Sequence, residues 1–227
     1  MRRPLLLALT AALSLSAAIA QAPSEAQDAP VEDDGVARLE VIATGEQTLD
    51  VLTGETVLTD GGVIVDRKTG LELTAPHIRY LQGEFINATD ASASMAGGVF
   101  NADEIAIDVE NLTADAEGNV AFEREGLRLI APEADIDFGR EFAIFDDASG
   151  ANPALQARRL ILNLDGGVAV LLGPYLFQNG PFELSDDRDA SSLQIDPIER
   201  EDGSVSYRAA NEVDDSLWEQ IEPYRNP

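Results

Sequence analysis

The chain has 227 residues, 42 of them acidic and 15 basic, for a formal net charge of −27. A surface of that sign repels phosphate backbones and argues against nucleic acid as a partner. Cysteine is absent, so neither a disulfide framework nor a zinc-thiolate site is available, and the fold must rest on its own apolar core.

Residues 1–20 read as a targeting segment. Arg2 and Arg3 form a basic start, 5–19 is an apolar run, and Ala18-Ile19-Ala20 fits a small-residue cleavage pattern. Cleavage there would export the chain and leave 13 basic against 42 acidic residues, a charge of −29. The next stretch, 21–35, is Ala, Pro and acid with almost no large apolar residue, the composition of a disordered acidic linker.

Order is expected from residue 36. A first strand is predicted over 36–43, and strand signals then recur every 8 to 12 residues, punctuated by Gly54, Gly61-Gly62, Gly70, Gly83, Gly97-Gly98, Gly118, Gly126 and Gly139. No segment of 36–172 keeps a helical apolar period over three turns. The predicted fold class is all-β.

Within that region one skeleton returns four times. Leu73-Thr74-Ala75-Pro76-His77-Ile78-Arg79-Tyr80 is followed by copies opening at Phe100, Leu129 and Leu155, at steps of 27, 29 and 26 residues. Spacing of that size points to stacked units of about 27 residues. In each copy the first and third positions are apolar, as are the sixth and eighth, which puts the two pairs in opposite phase along a period-2 strand. A bulge or corner between them restores the phase, and Pro76 and Pro132 sit in that gap. Each unit therefore reads as strand, corner, strand, with its apolar positions turned to one inner wall. The residues predicted to line it are Leu73, Ile78, Tyr80, Phe100, Ile105, Ile107, Leu129, Ile136, Leu160 and Leu162. Ala75, Ala102, Ala131 and Ala157 recur at one level, which fits either a cavity or a close sheet contact.

Leu71-Glu72-Leu73-Thr74-Ala75-Pro76, Gly118-Asn119-Val120 and the recurrent Leu-x-Ala units resemble the LptA/OstA-like family of periplasmic lipopolysaccharide-transport proteins over roughly 36–172. The resemblance implies an elongated β-jellyroll open at both ends, an inner wall that holds acyl chains, and end-to-end joining with similar rolls by strand addition. It also implies a non-enzymatic carrier of lipopolysaccharide or another acyl lipid between inner and outer membrane, located in the periplasm. The strongly acidic surface departs from what a carrier of negatively charged lipid needs.

From residue 173 the composition shifts to Gly-Pro and acid-rich turns around short strands, and 173–227 reads as an extension that caps the roll or docks a partner. Ser216-Leu217-Trp218-Glu219 has the pattern of a capped helix start, placing Leu217, Trp218 and Ile221 inward.

Catalytic and metal sites find no support. His77 is the single histidine, no serine lies in a G-x-S-x-G context, and no acid spacing matches a calcium loop, so no cofactor or metal is expected. The alternative to a carrier is a structural or adhesive envelope β-solenoid whose core is filled by its own side chains.

Overall fold

The computed structural model describes residues 39–226 except 68, 96 and 97. They belong to one compact unit spanning 35–227, while the predicted targeting segment and linker lie outside the described residues. The fold is all-β, as expected: the described strands form a single antiparallel sheet of sixteen. No helix among the described residues is long and apolar enough to cross a membrane.

Six short strands come first: β1 (Leu39–Ala43), β2 (Gln47–Leu49), β3 (Thr56–Leu58), β4 (Gly62–Asp66), β5 (Leu71–Ala75) and β6 (His77–Leu81). A meander of seven long strands follows: β7 (Phe85–Met95), β8 (Gly98–Asp108), β9 (Thr113–Arg124), β10 (Leu127–Asp137), β11 (Phe142–Ala151), β12 (Ala154–Asn163) and β13 (Ala169–Asn179). The chain closes with β14 (Phe182–Asp186), β15 (Ser192–Glu199), β16 (Val205–Ala210), the helix α1 (Asp215–Gln220) and one 3-10 turn, Glu222–Tyr224.

The phase flip seen in the sequence is the organising feature. In β8, buried side chains fall at 98, 100 and 102 and then at 105 and 107; in β10 they fall at 129 and 131 and then at 134 and 136. Pairing slips at the same places, between Asn101 and Glu104, between Ala131 and Glu133, and between Ala157 and Arg159. An extra residue in one strand re-aims everything after it and bends the ladder. In the first copy the bend is complete, because Pro76 cannot donate to a ladder. There the strand breaks into β5, paired with β4 and the second half of β7, and β6, paired with β3 and the first half of β7.

The extra residue lies in the intervening strands, where 118–120 of β9 stand against 102–103 of β8 and 173–174 of β13 against 158 of β12, and left-handed backbone marks the same level. Asp90 in β7, Gly118 and Asn119 in β9, and Asp147 in β11 have φ of 49°, 72°, 49° and 49° at the same level. Asn and Asp tolerate this left-handed region better than other side chains, and Gly adopts it freely. The Gly118-Asn119-Val120 stretch, expected among the turns, instead creases the middle of β9. A return repeat accompanies the first one: Asp90-Ala91-Ser92 and Asp147-Ala148-Ser149 carry the bend in two of these strands.

Creasing every long strand at one level divides the sheet into two layers. One layer runs β2, β3, β6, through the halves of β7–β13 that include Ile86, Ile107, Ile136 and Leu162, to β15 and β16. The other runs β1, β4, β5, through the halves that include Phe100, Phe122 and Leu129, to β14. Phe100 and Phe145 prove that the layers face each other. Their strands are three apart in the sheet, roughly 14 Å at the usual strand spacing, yet their ring centroids are 6.1 Å apart. The predicted single wall is therefore two facing walls, with the first apolar pair of each copy on one and the second pair on the other.

The recurrent alanines mark where the walls converge. Ala75, Ala102, Ala131 and Ala157 are 3–7 % exposed, and Ala88, Ala91, Ala116, Ala134 and Ala148 are buried on either side of the crease. Close to a crease there is room for a methyl group and little else, so the sheet contact, and not a void, accounts for them.

The C-terminal region extends this sheet. β13 runs through residue 173, its first half pairing with β15 and its second half with β14. The helix begins two residues earlier than the Ser216 pattern suggested, with Asp214 at the N-cap. Gln194 fixes that entry: its Oε1 accepts from the Asp214 N–H at 2.9 Å and its Nε2 donates to the Asp214 carboxylate at 3.1 Å.

Candidate functional site

The interior between the layers is the largest apolar feature of the molecule. All ten predicted lining residues belong to it. Leu73, Phe100 and Leu129 come from one layer; Ile78, Tyr80, Ile105, Ile107, Ile136, Leu160 and Leu162 come from the other. Nine are at most 5 % exposed, and Tyr80 is half-buried against them. The interior as it stands is closed.

Its centre is an aromatic trio. Phe100, Phe122 and Phe145 are fully buried, with centroid separations of 4.6, 6.1 and 6.0 Å. Offset and tilted pairs at such distances add about 0.5–1.5 kcal/mol each beyond their burial. Phe122 and Phe145 lie on β9 and β11, outside the four copies that the sequence repeat exposed. The Asp-Ala-Ser return repeat was the signal that could have found Phe145, which precedes Asp147 by two residues.

Outside the walls, a second apolar cluster covers the back of β11–β13. Phe142, Ile144, Ile161, Val170 and Leu172 face away from the interior, which explains the unbroken buried runs in these strands. The C-terminal segment lies on them through Val213, Leu217, Trp218, Ile221 and Tyr224, and Ile221 is fully buried. Polar bonds hold the end of the segment. Arg159 donates to both carboxylate oxygens of Asp146 at 2.6 and 2.5 Å and to the Tyr224 carbonyl at 3.0 Å. The Tyr224 hydroxyl donates to Asp137 at 2.6 Å. Burial, together with that bond to Asp137, pushes the Tyr224 phenol up. The tail thus covers an outer face of the sheet.

The outer surface is dominated by carboxylates in register. Glu104, Glu117, Glu133 and Asp146 stand directly opposite one another across four successive strands, in a row that runs from His77 to Arg159. Like charges directly opposite one another destabilise a sheet, and Arg159 relieves only the last. Beside this row Asp135 is held above the usual carboxylate range by partial desolvation and then by the charges of Asp115 and Asp146. A raised folded-state value means that ionisation costs stability as pH rises from the unfolded value through the folded one, and costs nothing below it. Asp135→Asn is therefore expected to stabilise the protein by a few tenths of a kcal/mol at pH 7 and by nothing near pH 3. Urea midpoints at the two values check this.

Among the described residues no group of three or more His, Cys, Asp or Glu is placed to hold a metal ion. His77 is exposed at the start of β6, directly after the Pro76 corner, and faces Thr89.

Fold and interior together define a class: a two-layer antiparallel β-roll, creased along its length, with an apolar space between the layers. No protein family and no curated protein matches the chain. Among solved structures it is similar to LptH, the LptA-homologous periplasmic component of the lipopolysaccharide transport device of Pseudomonas aeruginosa. The identity is 15 %, the TM-score 0.40, and the match covers 44 % of this chain and 76 % of that one.

Proposed function

We propose that this protein is a periplasmic, non-enzymatic carrier of an acyl lipid, lipopolysaccharide or another, that holds its cargo between the two layers. The observation that carries the reading is the continuous apolar interior. It spans the molecule from Leu58 and Ile64 near one edge to Leu193 and Ile195 near the other. An acyl chain transferred from water to such surroundings gains about 0.8 kcal/mol per methylene. Because the lining is closed, loading requires the layers to part, and the cargo replaces contacts that the walls now make with each other.

The sheet ends support end-to-end assembly. β1 and β2 stand at one end and β14 and β16 at the other, each paired on one side only among the described residues. An unpaired strand edge accepts another strand by backbone hydrogen bonds, so similar rolls joined this way would continue the interior from one protein to the next.

Ile107 tests the lining. It is 5 % exposed and one residue from the end of β8, so a longer acidic side chain there can reach solvent at the strand end while placing charge at the rim of the interior. Ile107→Glu is expected to keep the β-sheet circular dichroism signal and lose at least tenfold in affinity for a fluorescent acyl lipid, since every additional 1.4 kcal/mol is tenfold. Unchanged affinity in the folded variant would remove Ile107 from the lining.

A second reading has one observation in its favour. The aromatic trio fills the centre without leaving its members any exposure, which is how a purely structural roll with a self-filled core would look. The two readings part on whether the interior ever opens.

A further inference from the structure

Opposite the crease, the outer ends of the strands form the mouth of the roll. Arg124 is the last residue of β9 and belongs to one layer, while the turn joining β12 to β13 belongs to the other. The Arg124 guanidinium donates to the carbonyl oxygen of Leu164, and through its other nitrogen to that of Asp165 at 3.4 Å. β9 and β12 are three strands apart, so these bonds cross the mouth; they do not run along the sheet. Leu164 itself lies beyond the end of β12, yet it is 1 % exposed and packs with the interior cluster. A turn residue that reaches into the core from the rim acts as a plug.

The turn is compact and self-contained. The Gly167 N–H donates to the Asn163 carbonyl at 2.9 Å, the Gly166 N–H to the Asn163 side chain at 2.6 Å, and Gly167 has a φ of 69°. Its ties to the neighbouring β10–β11 turn include the Leu164 N–H to the Glu141 carbonyl, at 2.7 Å. A cleft of about 720 Å³ opens beside Arg124, lined by Glu125, Gly166, Pro197, Glu199 and Ser204 among others, so the latch is reached from solvent.

We propose that the turn between β12 and β13 is a lid on the mouth, plugged by Leu164 and latched by Arg124, and that releasing the latch admits an acyl chain to the interior. This rests on the carrier reading, because a closed interior needs a door. The latch suits that role physically. Its bonds run to neutral carbonyls at a half-buried site, and Arg124 and Leu164 are otherwise held by separate layers. Breaking it leaves both ladders whole.

The test needs no label on the protein. Hydrogen exchange of the peptide containing 163–170 reads the lid, and uptake of pyrene-labelled phosphatidylcholine reads the interior. Arg124→Ala is expected to raise exchange in the turn about tenfold, with the strands unchanged, and to speed lipid uptake several-fold. Arg128→Ala, which loses only an exposed pair with Glu123, is expected to do neither. Should Arg124→Ala fail to fold, Arg124→Lys serves: it keeps the charge but lacks the planar fork that spans two carbonyls. Turn exchange equal to wild type overturns the latch whatever the lipid does. A loosened turn with lipid uptake at the wild-type rate overturns the lid as a door while sparing the carrier. A loosened turn with no lipid taken up by either protein contradicts the carrier reading, and the door with it.

Discussion

Replacing Phe145 by alanine is expected to destabilise the protein by about 3–5 kcal/mol, the range for deleting a buried ring from a packed core. Phe145 is fully buried and bridges the layers, touching Phe100 at 6.1 Å and Phe122 at 6.0 Å from across the interior. The walls near it are bent but continuous ladders, which cannot easily collapse into the space left behind. The upper half of the range is therefore the better expectation. For a domain of this size the melting temperature should fall by roughly 6–20 °C, and a urea titration at unchanged slope would confirm that stability and not compactness has changed. The same variant separates the two functional readings. In a carrier, the vacated volume lies in the path of the cargo, so acyl lipid should bind the folded variant at least as tightly as wild type. In a self-filled roll, the variant would be merely less stable.

Arg159→Ala is expected to cost about 2–3 kcal/mol and to free the C-terminal segment. Arg159 is 7 % exposed and makes two bonds to Asp146 and one to the Tyr224 carbonyl. Its removal leaves a half-buried carboxylate beside Asp135 and Glu133 with no neutralising partner, and truncating one member of a buried pair costs up to 3–5 kcal/mol. The lower figure follows because Asp146 keeps 27 % of its side-chain surface in water. Removing both charges, as in Arg159→Met with Asp146→Leu, should recover most of the loss, since the unpaired carboxylate is the source of the cost. The chain has a single tryptophan, Trp218, which packs on the tail's docking face and lies 4.1 Å beneath the Arg225 guanidinium. Its emission should shift to the red well below the urea midpoint in Arg159→Ala and in the double variant alike, because both lose the bond to the Tyr224 carbonyl. Emission unchanged in both would mean that the apolar contacts of Ile221 and its neighbours hold the tail without help.

Much of this architecture was legible in the residues, for a definite reason. The opposite phases of Leu73 and Ile78, or of Phe100 and Ile105, cannot be reconciled with a straight half-buried strand, and the bend they demand is the bend observed. The alternation says nothing, however, about the angle of the bend. Two arms at a shallow angle form one curved wall; folded sharply they face each other, and contacts across the interior such as Phe100–Phe145 distinguish the cases. The return strands are harder to read because their steps differ: Ala88 to Ala91 and Phe145 to Ala148 step by three like the copies, while Ala116 to Val120 steps by four across Gly118 and Asn119, so no one skeleton spans all three. The docking face on β11–β13 was hidden for another reason. Strands buried on both sides, such as the run from Phe142 to Phe145, lose the alternation by which an inner wall is recognised. Arg124 carries no local signal at all, because its partners are 40 and 41 residues away.

The central claim is that the space between the layers holds an acyl lipid. Native mass spectrometry of the protein purified from an envelope extract, followed by release and identification of what is bound, tests it most directly. A stoichiometric acyl lipid is the predicted result, and its chemistry would name the cargo. A clean unliganded mass, with no uptake of added lipopolysaccharide or phospholipid by wild type or by the Arg124→Ala variant, would contradict the account and leave a structural roll filled by its own side chains.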